Sequence, residues 1–94
     1  MKRYVIERNI EGAGAMTSSQ LCGAARASTA ATRQLGPALQ WEHSYMAGDK
    51  TYCVFLAENE DVLRAHAEKS GFPADRIEEV TAVIDPTTAA LEPA

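Results

Sequence analysis

The sequence has few of the residues that usually carry chemistry. Only 2 cysteines, 2 histidines and 1 tryptophan occur among its 94 residues. The paired Cys-x-x-Cys motifs of a zinc finger are absent, and a cytoplasmic chain rarely joins two such cysteines in a disulfide. Gly12-Ala13-Gly14 lacks the spacing and the lysine of a phosphate-binding loop. No apolar run reaches the ~20 residues that a membrane-spanning helix needs.

Positive charge is also scarce. The chain has 9 Lys and Arg against 13 Asp and Glu, for a formal net charge of −4. Nucleic acids and anionic membranes attract basic patches, so this balance argues against both as partners. Charged residues follow the start of the chain too closely for the apolar region of a signal peptide. We therefore expect a cytoplasmic protein.

The first half of the chain predicts a strand and a long helix. Residues 2–8 are rich in β-branched and aromatic side chains, which favour a strand. Thr17 and Gln20 match a capping box at a helix start. Alanine-rich sequence continues to Leu35, where Gly36-Pro37 is typical of a helix end.

The second half predicts a hairpin, a shorter helix and a last strand. Gly48-Asp49 supplies turn chemistry for the hairpin. Asn59 can cap the second helix, which Gly71 then ends. The predicted ranges are 38–46 and 51–57 for the hairpin strands, about 60–70 for the helix and 77–84 for the last strand.

The order βαββαβ predicts an α+β, ferredoxin-like fold, in which two helices lie on one face of a four-stranded antiparallel sheet. We expect the domain to span residues 1–86 and residues 87–94 to be a tail, either disordered or an arm in an oligomer. Apolar residues occur at both parities in residues 4–6 and 52–55. The second sheet face is therefore expected to be covered, most simply by a second copy in a homodimer.

The hairpin carries His43 on one arm and Cys53 on the other, and imidazole and thiolate suit borderline-soft metals. Their relation depends on the register, because side chains alternate between faces. If Tyr45 pairs with Thr51, His43 lies opposite Cys53. If Met46 pairs with Thr51, His43 faces Val54 and Cys53 points to the other face. This second register gives a cleaner apolar face, formed by Trp41, Tyr45, Tyr52, Val54 and Leu56.

More ordinary roles exist for each candidate ligand. In this alternative interpretation, His43 is a hydrogen-bonded strand residue and Cys53 is a small hydrophobic residue. His66, on the second helix, is then a structural or exposed histidine. Glu7 and Glu42 lie on strands and are the more informative carboxylates, which together with imidazole would suit nickel, cobalt or zinc.

Six segments of the sequence are distinctive when taken together: Arg3–Arg8, Trp41–Tyr45, Thr51–Phe55, Arg64–Ala67, Gly71–Ile77 and Asp85-Pro86. With them the chain resembles a family of small ferredoxin-like proteins that is common in actinobacteria. Some members of that family are described as nickel-binding or nickel-responsive. The resemblance implies a homodimer and a surface Ni²⁺ site, with His43, Cys53 and His66 as the positions that match the family's histidine and cysteine marks.

Two functional classes follow from these observations. The first is a protein that binds a divalent transition metal, nickel foremost, for sequestration or buffering, with no organic cofactor. The alternative is a small dimeric enzyme of the monooxygenase, isomerase or lyase type, with a pocket near His43. The enzyme hypothesis rests on fold analogy and on the acid–base capacity of an imidazole. A dimerising module without a small ligand is a third, simpler possibility.

Overall fold

A computed structural model describes residues 1–91, and its elements follow the order βαββαβ with three short 3₁₀ turns. This order confirms the predicted ferredoxin-like α+β fold. No helix in residues 1–91 is long and apolar enough to cross a membrane. The elements are β1 (Lys2–Asn9), α1 (Ser18–Leu35), β2 (Leu39–Ala47), β3 (Lys50–Ala57), α2 (Glu60–Ser70) and β4 (Arg76–Glu79), with 3₁₀ turns at Ala13–Ala15, Gly36–Ala38 and Pro86–Ala90.

The four strands form one antiparallel sheet in the order β2-β3-β1-β4. One side of the sheet, which we call the inner face, packs against α1 and α2. The other side, the outer face, carries the alternate residues of each strand, because side chains alternate with period two. The buried core on the inner face consists of Tyr4, Ile6, Leu39, Cys53, Phe55, Ala57 and Leu63.

Both helices begin and end where the sequence predicts. At the start of α1, the Gln20 amide donates to Thr17 Oγ1 at 3.2 Å and the Thr17 amide donates to Gln20 Oε1 at 2.9 Å. At the start of α2, the Val62 amide donates to the side chain of Asn59. Gly71 ends α2 with a φ of 80°, in the left-handed region that glycine adopts most easily.

The hairpin adopts the second of the two predicted registers, with Met46 opposite Thr51 and His43 opposite Val54. The pairing continues to Ala47 and Lys50, so Gly48-Asp49 forms a two-residue turn. Gly48 has a φ of 59°, as the first position of a type II′ turn requires.

A β-bulge between Trp41 and His43 changes the predicted apolar face. The bulge inserts Glu42 without a partner, so Trp41 pairs with Phe55 while His43 pairs with Val54. Trp41 therefore lies on the inner face and not with Tyr45 on the outer one. Its indole Nε1 donates to Ser44 Oγ at 2.9 Å, which an uninterrupted alternation would prevent.

The last strand is shorter than predicted, because β4 ends at Glu79 and not at residue 84. One further bond, from the Val80 amide to the Arg3 carbonyl, closes the ladder. Val83 and Ile84 lie beyond this ladder and are 69% and 78% exposed.

The tail predicted over residues 87–94 begins with the 3₁₀ turn Pro86–Ala90. The Thr87 amide donates to Asp85 Oδ1 and caps this turn. Residues 92–94 lie outside the described part of the chain.

Candidate functional site

His43 lies on the outer face of β2, which is an edge strand of the sheet. Its imidazole is exposed, and Nε2 lies 3.1 Å from Tyr45 Oη. The two rings meet edge to face with their centroids 5.0 Å apart. This contact engages Nε2, so Nδ1 is the ring nitrogen that lies outside it.

Cys53 lies on the opposite side of the sheet. It is 8% exposed and belongs to the hydrophobic core. Its Sγ lies 3.7 Å from Thr51 Oγ1. Because His43 pairs with Val54, the thiol and the imidazole point away from each other through the sheet.

His66 is fully buried where α2 crosses α1. Its Nε2 lies 3.3 Å from Ser28 Oγ and 3.2 Å from the Ser28 carbonyl oxygen. The ring packs edge-on against Phe55, and its Nδ1 has no hydrogen-bond partner within residues 1–91. Burial lowers the pKa of His66 below 6.5, and the nearby positive charge of Arg8 lowers it further, although the Ser28 carbonyl opposes the shift. His66 is therefore a neutral imidazole at pH 7.

The three residues suggested by the resemblance do not meet in one chain. His43 is on the outer face, whereas Cys53 and His66 are buried on the inner side. Within residues 1–91, no group of three or more His, Cys, Asp or Glu side chains is arranged to hold a metal ion. Within one chain a metal held through His43 therefore lacks a full set of protein ligands, and water or another copy of the chain would have to supply the rest.

The acidic side chains of the outer face already have cationic partners. Three of these partners are Arg3, Lys50 and Arg76. They hold Glu42 at 2.9 Å, Glu7 at 3.3 Å and Glu78 at 2.9 Å. Exposed pairs of this kind contribute only ~0–1 kcal/mol each, so a metal ion could displace them at little cost.

A cavity of about 210 Å³ lies on the inner side, between α1 and the sheet. Its rim reaches the surface near Leu21, which is 38% exposed. His43 is not among the residues that line it, so the cavity is not the pocket that the enzyme hypothesis expects. The apolar walls include Met16, Leu21, Ala25, Trp41, Met46 and Phe72.

Arg8, which is 2% exposed, is also one of the residues that line the cavity. Arg8 Nη1 donates to the Pro73 carbonyl at 2.7 Å and to the Phe72 carbonyl at 3.4 Å. The guanidinium carbon lies 5.9 Å from the centroid of the Phe72 ring. Within residues 1–91, Arg8 forms no ion pair with a carboxylate, and its Nε has no hydrogen-bond partner.

The burial of Arg8 has a signal in the sequence. Arg8 has the same parity on β1 as Tyr4 and Ile6, which are both buried. Because side chains alternate along a strand, Arg8 is expected on the same inner face as Tyr4 and Ile6. No such signal marks Ser28, because its contact with His66 joins residues 38 positions apart.

Comparisons with known proteins agree with this fold. A family model described as nickel responsive protein SCO4226-like matches residues 4–80. The crystal structure of SCO4226 from Streptomyces coelicolor A3(2) superposes with a TM-score of 0.68 at 28% sequence identity, covering 87% of this chain and 99% of that one. A search of curated proteins finds no match. The match to the family model spans well over half of the sequence, and the chain therefore belongs to the SCO4226-like family of nickel responsive proteins.

Proposed function

We propose that this protein is a cytoplasmic homodimer that binds a divalent transition metal, nickel foremost, through His43 on the outer face. The observation that carries the proposal is the exposed imidazole, held by Tyr45 through one ring nitrogen and open at the other. Imidazole is a preferred ligand of nickel, and a hydrogen bond to the second nitrogen is the usual support of a metal-binding histidine. The cytoplasmic location is predicted from the sequence alone.

Membership of a family described as nickel responsive supports nickel as the metal. A response to nickel requires an interaction with the ion or with a partner that has bound it. His43 is one of only 2 histidines in the sequence, and the other is buried with its pKa lowered. A metal ion in solution can therefore reach His43 more easily than His66, which favours His43 as the ligand.

A second copy of the chain would complete the site. One imidazole is too few ligands for tight binding, and within residues 1–91 His43 belongs to no group of three or more His, Cys, Asp or Glu side chains that could hold a metal ion. The outer face carries a stripe of partly exposed apolar residues in the middle of the sheet. In a two-fold dimer such a stripe meets the same stripe of its partner, which brings metal ligands of both copies to one interface. The stripe consists of Val5, Tyr52, Val54 and Leu56.

The proposal assigns no ligand role to Cys53 or His66. Cys53 is in the core, 8% exposed, and lines the cavity between α1 and the sheet, on the face opposite His43. His66 uses Nε2 for Ser28, and its free Nδ1 is enclosed. We propose that both residues stabilise the fold and that His43 alone, of the three, binds the ion.

Calorimetric titration with nickel chloride, on protein without an affinity tag, tests this proposal. We expect saturable binding with a dissociation constant well below ~1 mM, which corresponds to ~4 kcal/mol. His43→Gln should abolish it. The matched controls are His66→Gln and Cys53→Ser, which should leave the affinity per folded molecule unchanged.

Two results would contradict the proposal. The first is an unmodified protein that does not bind nickel more tightly than ~1 mM. The second is a His43→Gln variant that binds as the unmodified protein does, while Cys53→Ser or His66→Gln does not. Light scattering during the same titration measures the mass of the complex and tests the homodimer separately.

A further inference from the structure

The cavity under α1 combines an apolar interior with a buried positive charge that lacks a carboxylate partner. Burying an unpaired charge is costly, and proteins normally neutralise it with an ion pair or a ligand. Arg8 instead donates hydrogen bonds to two loop carbonyls and lies over the face of the Phe72 ring. These contacts offset only part of the cost of burying the charge. Its Nε remains without a partner within residues 1–91.

We propose that this cavity binds a small monocarboxylate with an apolar body, and that Arg8 pairs with the carboxylate. A guanidinium matches a carboxylate in planar geometry and in charge, and it can donate two parallel hydrogen bonds. Ser28, Ser44 and Thr51 add hydroxyl groups to the same lining. The anionic end of the ligand therefore lies toward Arg8 and its body toward the apolar walls.

The size of the cavity limits the ligand. At about 210 Å³ it is smaller than the pockets of ~300–1,000 Å³ that hold drug-sized molecules. A cavity of ~150 Å³ is sufficient for benzene, so a body of roughly six carbon atoms fits. Larger lipids and nucleotides are too big, and inorganic phosphate would leave the apolar walls unfilled.

The only tryptophan of the chain reports on this site directly. Trp41 lines the cavity, and its indole Nε1 donates to Ser44 Oγ, which also lines it. A ligand in the cavity should therefore change the tryptophan fluorescence. It should also shift the amide resonances of the inner-face residues around Thr51 and Cys53.

Sodium benzoate and benzamide are suitable probes, because they have nearly the same shape and differ in charge. Titration of the metal-free protein should give saturable binding of benzoate with a dissociation constant below ~1 mM. Benzamide should bind at least ~10-fold more weakly, since it cannot form the charge-assisted pair. The charge is tested from the ligand side because Arg8 also holds the Phe72 and Pro73 carbonyls, so replacing it would disturb the fold.

A cavity-filling substitution tests the location. Ala25→Leu places a larger side chain into the cavity wall and should abolish benzoate binding. Ala30→Leu makes the same change at an exposed position of α1 and should leave binding intact. Nickel binding through His43 should be the same in both variants, so the two proposals stand or fail separately.

The proposal is overturned if benzoate does not saturate the unmodified protein. Equal affinity for benzoate and benzamide would show that Arg8 does not recognise the charge. Benzoate binding that survives Ala25→Leu, with Ala25→Leu folded as judged by circular dichroism, would place the ligand elsewhere.

Discussion

At the scale of single residues, the chain shows how differently two copies of one residue type can behave. His43 is exposed on an edge strand and keeps a ring nitrogen available to solvent. His66 is enclosed between two helices, beside Phe55 and within the field of Arg8. The first histidine is accessible from solvent, whereas the second contributes to packing and has a lowered pKa.

The lowered pKa of His66 predicts an acid-sensitive fold. Unfolded protein binds a proton at this residue near pH 6.5, whereas folded protein binds it only at lower pH. The free energy of unfolding should therefore fall as pH drops below 6.5, with a slope from this residue of at most ~1.4 kcal/mol per pH unit, and level off below the folded pKa.

Urea unfolding at pH 7.5 and pH 5.5 measures this effect. The difference in stability between the two pH values should shrink in His66→Gln. A difference as large in His66→Gln as in the unmodified protein would mean that burial of His66 does not cause the pH dependence.

Tyr45 is expected to support the metal-binding histidine. Loss of its hydroxyl in Tyr45→Phe removes the hydrogen bond to His43 Nε2. Nickel affinity should fall by roughly 10-fold, the lower end of the range for such supporting contacts. Stability should change by less than ~0.5 kcal/mol because the residue is largely exposed. Tyr52→Phe, directly opposite Tyr45 on β3, is the control and should bind nickel normally in calorimetry.

Sequence reasoning located individual residues less well than it located elements. It could identify His43 and Cys53 as neighbours on a hairpin but left two registers open, because a shift of one residue reverses every side chain. The burial of His66 depends on Ser28, a contact that no local pattern encodes. Arg8 was recoverable from its parity with Ile6, yet a charged residue near a strand end is ordinarily exposed.

At the scale of elements, the capped helices and the ends of β1, β2 and β3 were predictable to within one residue, whereas the end of β4 and the bulge in β2 were not. The helix ends are set by local hydrogen bonds or dihedral angles, which the sequence encodes directly. The residues concerned are Thr17, Gln20, Asn59 and Gly71. The end of β4 opposite Tyr4 and the bulge at Glu42 are instead features of strand pairing between residues far apart in the sequence, which no local pattern encodes.

The loop after β1 packs closely against the turn of the β2–β3 hairpin, through Gly14 and Gly48. Gly14 approaches the hairpin turn so closely that an added Cβ would lie 2.5 Å from the Gly48 nitrogen. Its amide also donates to the Gly48 carbonyl at 2.8 Å. Gly14→Ala should therefore destabilise the fold by ~1–3 kcal/mol, the range for forced overpacking.

Gly23→Ala is the matched control, because a Cβ at this position of α1 meets nothing within 4 Å. The same substitution should there stabilise the protein by ~0.5–1 kcal/mol through helix propensity. Thermal unfolding of both variants distinguishes the effect of the Gly14–Gly48 contact from the general effect of replacing glycine with alanine. A Gly14→Ala variant as stable as Gly23→Ala would contradict the close packing of loop and turn.

At the scale of the whole molecule, the outer face is the main determinant of assembly in our account. If two copies meet through it, Val54→Glu should place a charge inside the interface and convert the dimer to a monomer. Gln34→Glu adds the same carboxylate to an exposed position of α1, on the opposite layer. Size-exclusion chromatography with light scattering should find only Val54→Glu monomeric, and a dimer in both variants would exclude this face.

The central claim, that His43 and no sulfur ligand binds nickel, is tested most directly by X-ray absorption at the nickel edge on the loaded protein. We predict a nearest shell of nitrogen and oxygen with an imidazole signature, and loss of that signature in His43→Gln. A sulfur shell would contradict the account, because it would place the metal at a cysteine or methionine.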